Sequence, residues 1–415
     1  MHGENGEDFQ MPAMLKSLKS AARSTGFLLA ALCCGSSTSF ADDFKIALIT
    51  STTGAFEAYA KQAQIGLQLG LEYATKGTLK VNGRPIVVIQ KDDQLKPDRA
   101  RALIEESFQD DKADIAVGST SSATTLAMMP VAEELKKPLV VDVAGADSIT
   151  GDKWNRYVVR TGRTVGQEAM ASASLLAAKD TSIAVLAQDY VFGRESAQVF
   201  KSAATKAGAA VVAEEFLPIN TTDFTGVAQR VFDALKDRPG RKLLWVNWVG
   251  ASPIAKINAM DPARYGIELA TTAAPLQGMA AYKGIPNLTG ATPYYYEVVT
   301  NPQNDWLVAE HKKRFNSPPD VGTAFAFDAA LAIVNAVTAT GGSDPEKLIA
   351  AFEGMSFEGS SGKLTIRKEN HQALHDFYGV TYTTVPGVEW AVPKLLKAFS
   401  GEELNSMLTS MAKSK

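Results

Sequence analysis

From Phe44 onward the chain alternates short continuous apolar runs with longer stretches in which apolar residues recur every three or four positions. The runs are "FKIALIT", "PIVVIQ", "DIAVG" and "PLVVDV", and between them lie "AKQAQIGLQLGLEYA", "PDRARALIEESF" and "ATTLAMMPVAEEL". Unbroken Val/Ile/Leu runs predict strands covered on both faces, and the helical period predicts the amphipathic helices that cover them. The pattern is that of a parallel sheet flanked by helices, one α/β domain ending near Tyr157 to Thr161. It then restarts. A helix over "GQEAMASASLLAA" is followed by the strand "SIAVLAQ", a helix over "RESAQVFKSAATKAG", the strand "AVVAEEF", a helix from "DFTGVAQRVFDAL", and the strands "KLLWVNW" and "IELATT". A second α/β domain of similar size accounts for this half. After "GATPYYY" come the long helical patterns "NDWLVAEHKKRF" and "GTAFAFDAALAIVNAV", then "DPEKLIAAFEGM" and the polar segment "EGSSGKLTIRKENHQALHD". Periodicity alone assigns this last third to neither domain.

The first forty residues follow another rule. Lys16, Lys19 and Arg23 precede the apolar run "TGFLLAALCCG", and "SFA" sets small residues before a cut after Ala41. This predicts a cleavable secretory signal peptide over 1–41, because the run is too short for a hydrocarbon core that needs about twenty residues. Leu32 before Cys33 is too large for the position preceding a lipid-modified cysteine, so release as a soluble protein is expected. Both cysteines, Cys33 and Cys34, lie in this leader. The mature chain is therefore expected to have no disulfide, thiolate metal site or cysteine nucleophile.

Composition narrows the function. The 415 residues are 46% hydrophobic and 21% charged, with a formal net charge of −3. That is ordinary globular composition, enough for two or three cores, and no basic excess argues for nucleic acid or an anionic membrane. The chain contains no P-loop run, no Gly-x-Ser-x-Gly elbow and no spaced glycines of a dinucleotide turn. His371 and His375 stand four apart in "HQALH", yet the Glu of a zinc protease motif is missing and "KENHQ" reads as a solvated polar turn. His311, in "AEHKKRF", reads as part of a charged helix face. Asp92 and Asp93 end a strand just before a helix, where carboxylates serve the free amides of the helix N-terminus. Neither a metal site, a cofactor nor catalysis is expected.

What remains is binding. Strand-to-helix junctions of parallel sheets gather ligands, because free amides and the positive end of the helix dipole converge there. The hydroxyl-rich "GSTSSATT" at 118–125 sits at such a junction, with Ser121 or Ser122 placed to cap the following helix and to face an anionic group. The first junction, "STTGAFEAYA", offers Thr53, Phe56 and Tyr59; another reads "AGADSITG". In the second domain "LAQDYVFGRE" supplies Asp189, Tyr190 and Phe192, and "LLWVNWVGAS" supplies Trp245 and Trp248. Aromatics at strand ends facing another domain wall small-molecule clefts.

The ordered set "TTGAFEAYA", "DDQ", "GSTSSATTLAMMPVAEE", "PLVVDVAGADSITG", "DYVFGRE", "TTDF", "FDAALA" and "SGKLTIRKENHQAL" resembles the periplasmic binding proteins of branched-chain amino acid type ABC transporters, over nearly all of 42–386. The resemblance implies a type I bilobal α/β fold, two parallel-sheet lobes joined by three crossovers and closing on a ligand. Lobe one would be 42–163 plus 294–372, and lobe two 164–293 plus 373–415. It implies a periplasmic monomer that delivers a small molecule to an inner-membrane ABC permease, with no enzymatic activity. By the same resemblance the carboxylate-binding serine falls on Ser122, with Ser121 beside it. The first-loop aromatic falls on Tyr59, the first-lobe carbonyl on Ala144 and the second-lobe tyrosine on Tyr190, while Trp248 lies beside another aromatic position.

Departures from the family shape the expected ligand. Amino-acid-binding relatives hold the ammonium with a threonine in the segment matching "AGADS" and an acid in the segment matching "TTAAPLQG". Here the first offers Gly145 or Ala146 and the second has no Asp or Glu. A desolvated ammonium without a carboxylate is costly. The expected ligand is a small organic acid or amide, aromatic ones included, and not a free α-amino acid, unless Asp147, Asp189 or Glu57 restores the charge. The alternatives are uptake of a branched-chain or other amino acid, and a ligand-sensing lobe pair in signalling.

Overall fold

The computed structural model describes residues 42–412; the leader, its cysteines and the cut after Ala41 lie outside the described residues. The first sheet comprises β1 (Phe44–Thr50), β2 (Lys80–Val81), β3 (Arg84–Asp92), β4 (Ile115–Gly118), β5 (Leu139–Val141) and β6 (Val158–Arg160), in the spatial order β2-β3-β1-β4-β5-β6. All its pairings are parallel except β2 with β3. Helices α1 (Glu57–Ala74), α2 (Pro97–Gln109) and α3 (Ser122–Glu134) connect the strands. The second sheet holds β7 (Thr181–Gln188), β8 (Ala210–Leu217), β9 (Arg241–Asn247), β10 (Ile267–Thr272) and β11 (Thr289–Thr292), with α4 (Val165–Leu176), α5 (Val191–Lys206), α6 (Thr225–Leu235), α7 (Ile254–Asn258) and α8 (Leu276–Met279) around it.

After β11 the chain returns to the first lobe as α9 (Pro302–Phe315), α10 (Val321–Thr340), α11 (Pro345–Phe352) and the hairpin β12 (Ser356–Gly359) with β13 (Gly362–Thr365). It crosses a third time into β14 (Phe377–Thr384), β15 (Ala391–Phe399) and α12 (Gly401–Ala412). These last two strands complete the second sheet in the order β15-β14-β11-β10-β9-β7-β8, and both pair antiparallel. Its far edge is therefore not parallel, because β14 and β15 are joined directly through "VPGVEW" rather than by a covering helix. The outcome is two parallel-dominated sheets with three chain crossings between them.

Burial explains the hydropathy pattern. Every residue of β7 is buried, as are all of β4, β5 and β6, so alternation has no solvent face to record. The apolar α10 is long enough to cross a membrane, yet it is a core helix lying along α1. A Cβ on Gly66 or Gly70 of α1 would come 2.2 Å from the Thr323 carbonyl oxygen or 2.6 Å from that of Phe327. Glycine is required at both positions for the two backbones to approach this closely.

The segment expected to be a solvated turn is buried. His371 and His375 are 1% and 0% exposed. His371 Nδ1 meets the Val158 carbonyl at 3.2 Å and His375 Nε2 that of Thr161 at 2.5 Å. Gln372 Nε2 donates to the Gly162 carbonyl, and Gln372 Oε1 accepts from the Arg160 Nε and the Thr150 hydroxyl. The polar residues of this third crossing thus satisfy the backbone of the first, which is why a polar sequence is needed inside the protein. His311 is also buried rather than on an open face, with Nδ1 at 2.6 Å from the Ser317 carbonyl.

Candidate functional site

Each sheet has a point where strand order reverses, between β1 and β4 in the first and between β7 and β9 in the second. Crevices open there at the carboxyl ends of the strands. A cavity of about 20 Å³ lies where the two meet. Tyr59 follows β1, Thr120 and Ser122 follow β4, Val143 and Gly145 follow β5, and Arg163 follows β6. From the second lobe come Tyr190 and Phe192 after β7 and Val249 after β9. The β7 and β9 ends are tied by a reciprocal pair, Gln188 Nε2 donating to the Val249 carbonyl and Val249 N to Gln188 Oε1.

The loop 118–125 holds itself in place with most of its hydroxyls. Ser119 donates to Asp93 Oδ2, Thr120 Oγ1 accepts from Ser51 N, and Thr124 and Thr125 both donate to the Ser121 carbonyl. Ser121 is the N-cap residue of α3 by backbone conformation, but neither its hydroxyl nor that of Ser122 makes a side-chain cap bond, contrary to expectation. Ser122 Oγ instead accepts from Ala146 N at 3.1 Å, joining the β4 and β5 loops, and its proton has no acceptor among the described residues. Asp92 and Asp93 do not cap α2 either, whose N-cap is Lys96. Asp93 accepts from Ser51, Ser119 and Leu95 N, while Asp92 accepts from Thr52 N, Gln94 N and the Thr53 hydroxyl. Both carboxylates brace loops.

Of the residues expected at the site, Tyr59, Ser122 and Tyr190 converge on the cavity. Ala144 is buried between two lining residues, its carbonyl 3.5 Å from Arg160 Nη1. Ser121 is buried but is not part of the lining. Thr53 is exposed and bonded to Asp92, and Asp189 is half exposed and paired with Arg194 at 2.7 Å. Trp248 and Trp245 are core residues, the first edge-on to Phe224 with ring centroids 5.2 Å apart and the second stacked on Phe200 at 3.9 Å. Both fill space at the buried end of β9, the commoner role of a tryptophan there.

Arg163 lines the cavity and is the residue that sequence reasoning missed. It is 9% exposed, and Nη1 donates to the Val143 carbonyl at 2.7 Å. Nε is buried without an acceptor, and Nη2 makes no hydrogen bond among the described residues. The guanidinium lies 5.6 Å from the Phe192 ring centroid and 5.8 Å from that of Phe325. A signal for it existed: Thr164 and Gln167 form a capping box that starts α4, so the preceding arginine had to stand at the carboxyl edge of the sheet. Glu168 was missed as well. It is buried, its Oε2 is 3.6 Å from Arg163 Nε, and its Oε1 accepts from Ala273 N inside "TTAAPLQG". The acid absent from that segment is thus delivered by α4. Burial pushes the Glu168 carboxyl up, with Arg163 opposing. Burial likewise raises Tyr59 and Tyr190 above the ordinary tyrosine range, so both hydroxyls remain protonated donors. Asp147 accepts from Gly166 N and Glu57 is exposed, and neither lines the cavity.

The lobes are in contact around this cavity. Phe56 and Tyr190 approach with centroids 6.2 Å apart, Ser148 N donates to Glu195, and Leu276 N donates to Asp320 Oδ2 at 2.7 Å. Burial lifts the Asp320 carboxyl to about 6 against the pull of the Leu276 and Val321 amides.

This arrangement has close counterparts. The chain is 54% identical to an ABC-type branched-chain amino acid transporter protein of Rhodopseudomonas palustris CGA009, with a TM-score of 0.77 over 87% of this chain and 98% of that one. It is 26% identical to a solute binding protein of an ABC transporter from Rhodopseudomonas palustris BisB5 solved with 3,4-dihydroxybenzoic acid, with a TM-score of 0.76 over 86% and 98%. It is 25% identical over 374 residues to the Leu/Ile/Val-binding protein homolog 6 of Brucella suis biovar 1 (strain 1330), covering 84% of this chain and 90% of that protein. The family model described as "Periplasmic binding protein" matches residues 43–385, and with two sheets meeting at their switch points around a small cavity, the chain belongs to the periplasmic binding proteins that serve ABC transporters.

Proposed function

We propose that this protein captures a small carboxylate between its lobes, with Arg163 as the anchor for the anionic group, and presents it to an ABC permease. The observation that carries the reading is the state of Arg163: a buried guanidinium fronting the interlobe cavity whose Nε has only the Glu168 carboxylate at 3.6 Å and no hydrogen bond, and whose Nη2 makes no hydrogen bond among the described residues. A desolvated guanidinium without a full complement of acceptors is costly, and a carboxylate supplies two in the matching geometry. The Ser122 hydroxyl and the Tyr59 and Tyr190 phenols add neutral donors. The relative solved with 3,4-dihydroxybenzoic acid supports an aromatic carboxylate as the class.

Glu168 favours a second reading, a zwitterionic amino acid held between Arg163 and Glu168, in keeping with the branched-chain amino acid transporter and Leu/Ile/Val-binding relatives. The simple carboxylate is preferred because Glu168 does not line the cavity and already spends one oxygen on Ala273 N. Proteins of this family work in the periplasm. Export of this chain by the 1–41 leader is supported by "SFA" before the cut, and a monomer by both halves of the cavity coming from one chain. The lobe boundaries 42–163 plus 294–372 and 164–293 plus 373–415 fit the strand membership of the two sheets.

Calorimetric titration with aromatic acids and with leucine, isoleucine and valine tests the ligand. Aromatic acids should bind, and Arg163→Met should weaken them by about 100-fold or more, as for truncation of one partner of a buried charge pair. Submicromolar binding of leucine, isoleucine or valine without any binding of the acids would replace this reading by the zwitterion. Amino-terminal sequencing of the exported protein should begin at Asp42.

A further inference from the structure

Beside the inner cavity the lobes bound a second space of about 360 Å³, and Tyr59 walls both. Its remaining walls are Ala55 and Ala58 from the first lobe and residues of 250–252 and 275–281 from the second. Apart from Pro275 and Gln277 these are Gly, Ala and Ser, so the space stays open although the backbones meet closely. A Cβ on Gly250 would stand 3.2 Å from the Ala55 carbonyl oxygen. The volume falls at the lower end of the range of small-molecule sites.

The two spaces differ in what they can hold. The inner one, at about 20 Å³, admits a group about the size of one water, hence the head of a ligand and not a ring. It carries the charge and the donors, namely Arg163, whose Nη2 makes no hydrogen bond among the described residues, and Ser122 with its free proton. Tyr59, 7% exposed, has no hydrogen-bond partner for its hydroxyl among the described residues and stands between head and body. Tyr59 borders both spaces, so a ligand anchored at Arg163 reaches the larger one, lined mostly by small side chains, by passing this ring.

We propose that the ligand is an extended monocarboxylate, with a spacer separating the carboxylate at Arg163 from an apolar aryl or alkyl end in the 360 Å³ space, and that Ala58 and Ala281 set the length of that end. This rests on the reading of Arg163 as the carboxylate anchor. Burying each added methylene in an apolar space favours the longer acid.

The test is calorimetry on the full chain with benzoate, phenylacetate, 3-phenylpropanoate, 4-phenylbutyrate and octanoate. Affinity should rise at least tenfold from benzoate to 3-phenylpropanoate. Ala281→Leu, at an exposed position where the added side chain disturbs no core, should remove that gain while changing benzoate binding less than twofold. Arg163→Met should weaken every acid. A flat length series that still depends on Arg163, or an Ala281→Leu variant that leaves the long acids unchanged, overturns the extended ligand and leaves the anchor standing. Affinities indifferent to Arg163→Met, or binding of leucine with none of the acids, overturn the anchor itself.

Discussion

Arg160 and Arg163 lie three residues apart in the same crossover, both buried, and they differ in how their donors are used. Arg160 spends every nitrogen: Nε on Gln372 Oε1, Nη1 on the Ala146 carbonyl at 2.6 Å, and Nη2 on the Thr150 hydroxyl. Burial draws its guanidinium down to about 9, still charged at neutral pH. Arg163 donates through Nη1 to the Val143 carbonyl, has Nε 3.6 Å from Glu168 without a hydrogen bond, and leaves Nη2 without a hydrogen bond among the described residues, beside the cavity that it lines. A buried charge with all its donors used is part of the scaffold, whereas one with donors left over, as proposed for Arg163, leaves part of its desolvation uncompensated until a ligand supplies acceptors.

The sharpest way to break this contrast is to remove each arginine in turn. Arg160→Met deprives several buried acceptors of their donor at once and should cost about 3–4 kcal/mol of unfolding free energy in urea titration, with affinity retained by the folded fraction. Arg163→Met should show the reverse, a loss of affinity worth about 2–5 kcal/mol in calorimetry and a smaller loss of stability, the latter relieved by adding Glu168→Gln. Equal stability losses in the two variants would remove the distinction.

A pH titration separates scaffold from site further. His375, held near about 4 by burial, stays neutral in the fold while the unfolded chain protonates near 6.5. Its contribution is therefore present above pH 6.5 and lost as pH falls toward 4, a difference of roughly 3 kcal/mol. Asp142 and Asp328, raised to about 7 by burial, slope the other way, stabilising below pH 4 and losing that contribution as pH rises toward 7. The difference between wild type and His375→Gln across pH 4 to 7 should isolate the histidine term; identical pH profiles would refute it.

Smaller effects follow at the loops. Ser122→Ala should weaken binding by about 1–1.5 kcal/mol, through the lost hydroxyl donor and the unpaired Ala146 amide, with stability of the ligand-free protein falling less. Asp189→Asn, in an exposed pair with Arg194, should change affinity by less than about 0.5 kcal/mol in the same titrations. A larger effect would bring Asp189 back into the site.

Much of the fold was legible because the central strands β1, β4, β5, β7 and β10 are buried on nearly every residue and so read as unbroken apolar runs. The antiparallel β14 and β15 escaped, lying in a tail whose pattern alternates only weakly. At the site, Tyr59, Ser122 and Tyr190 were legible because each follows the carboxyl end of a strand. Trp248 has the same kind of position but points into the core, and a strand end alone does not say to which side a side chain turns. Polarity misled at "KENHQALH", where buried backbone rather than water is the partner.

By itself the sequence determined the two α/β halves, the strand-end loops as the place for a ligand and, through the ordered motifs, the family, since all of these depend on local periodicity and composition. Only the tertiary structure decided which buried charges are saturated and which face the cavity. Arg160 and Arg163 are indistinguishable as letters, and Glu168 reaches "TTAAPLQG" across more than a hundred residues of chain. Whether a buried charge is saturated depends on partners brought from distant segments, and that is a property of packing that no local pattern records.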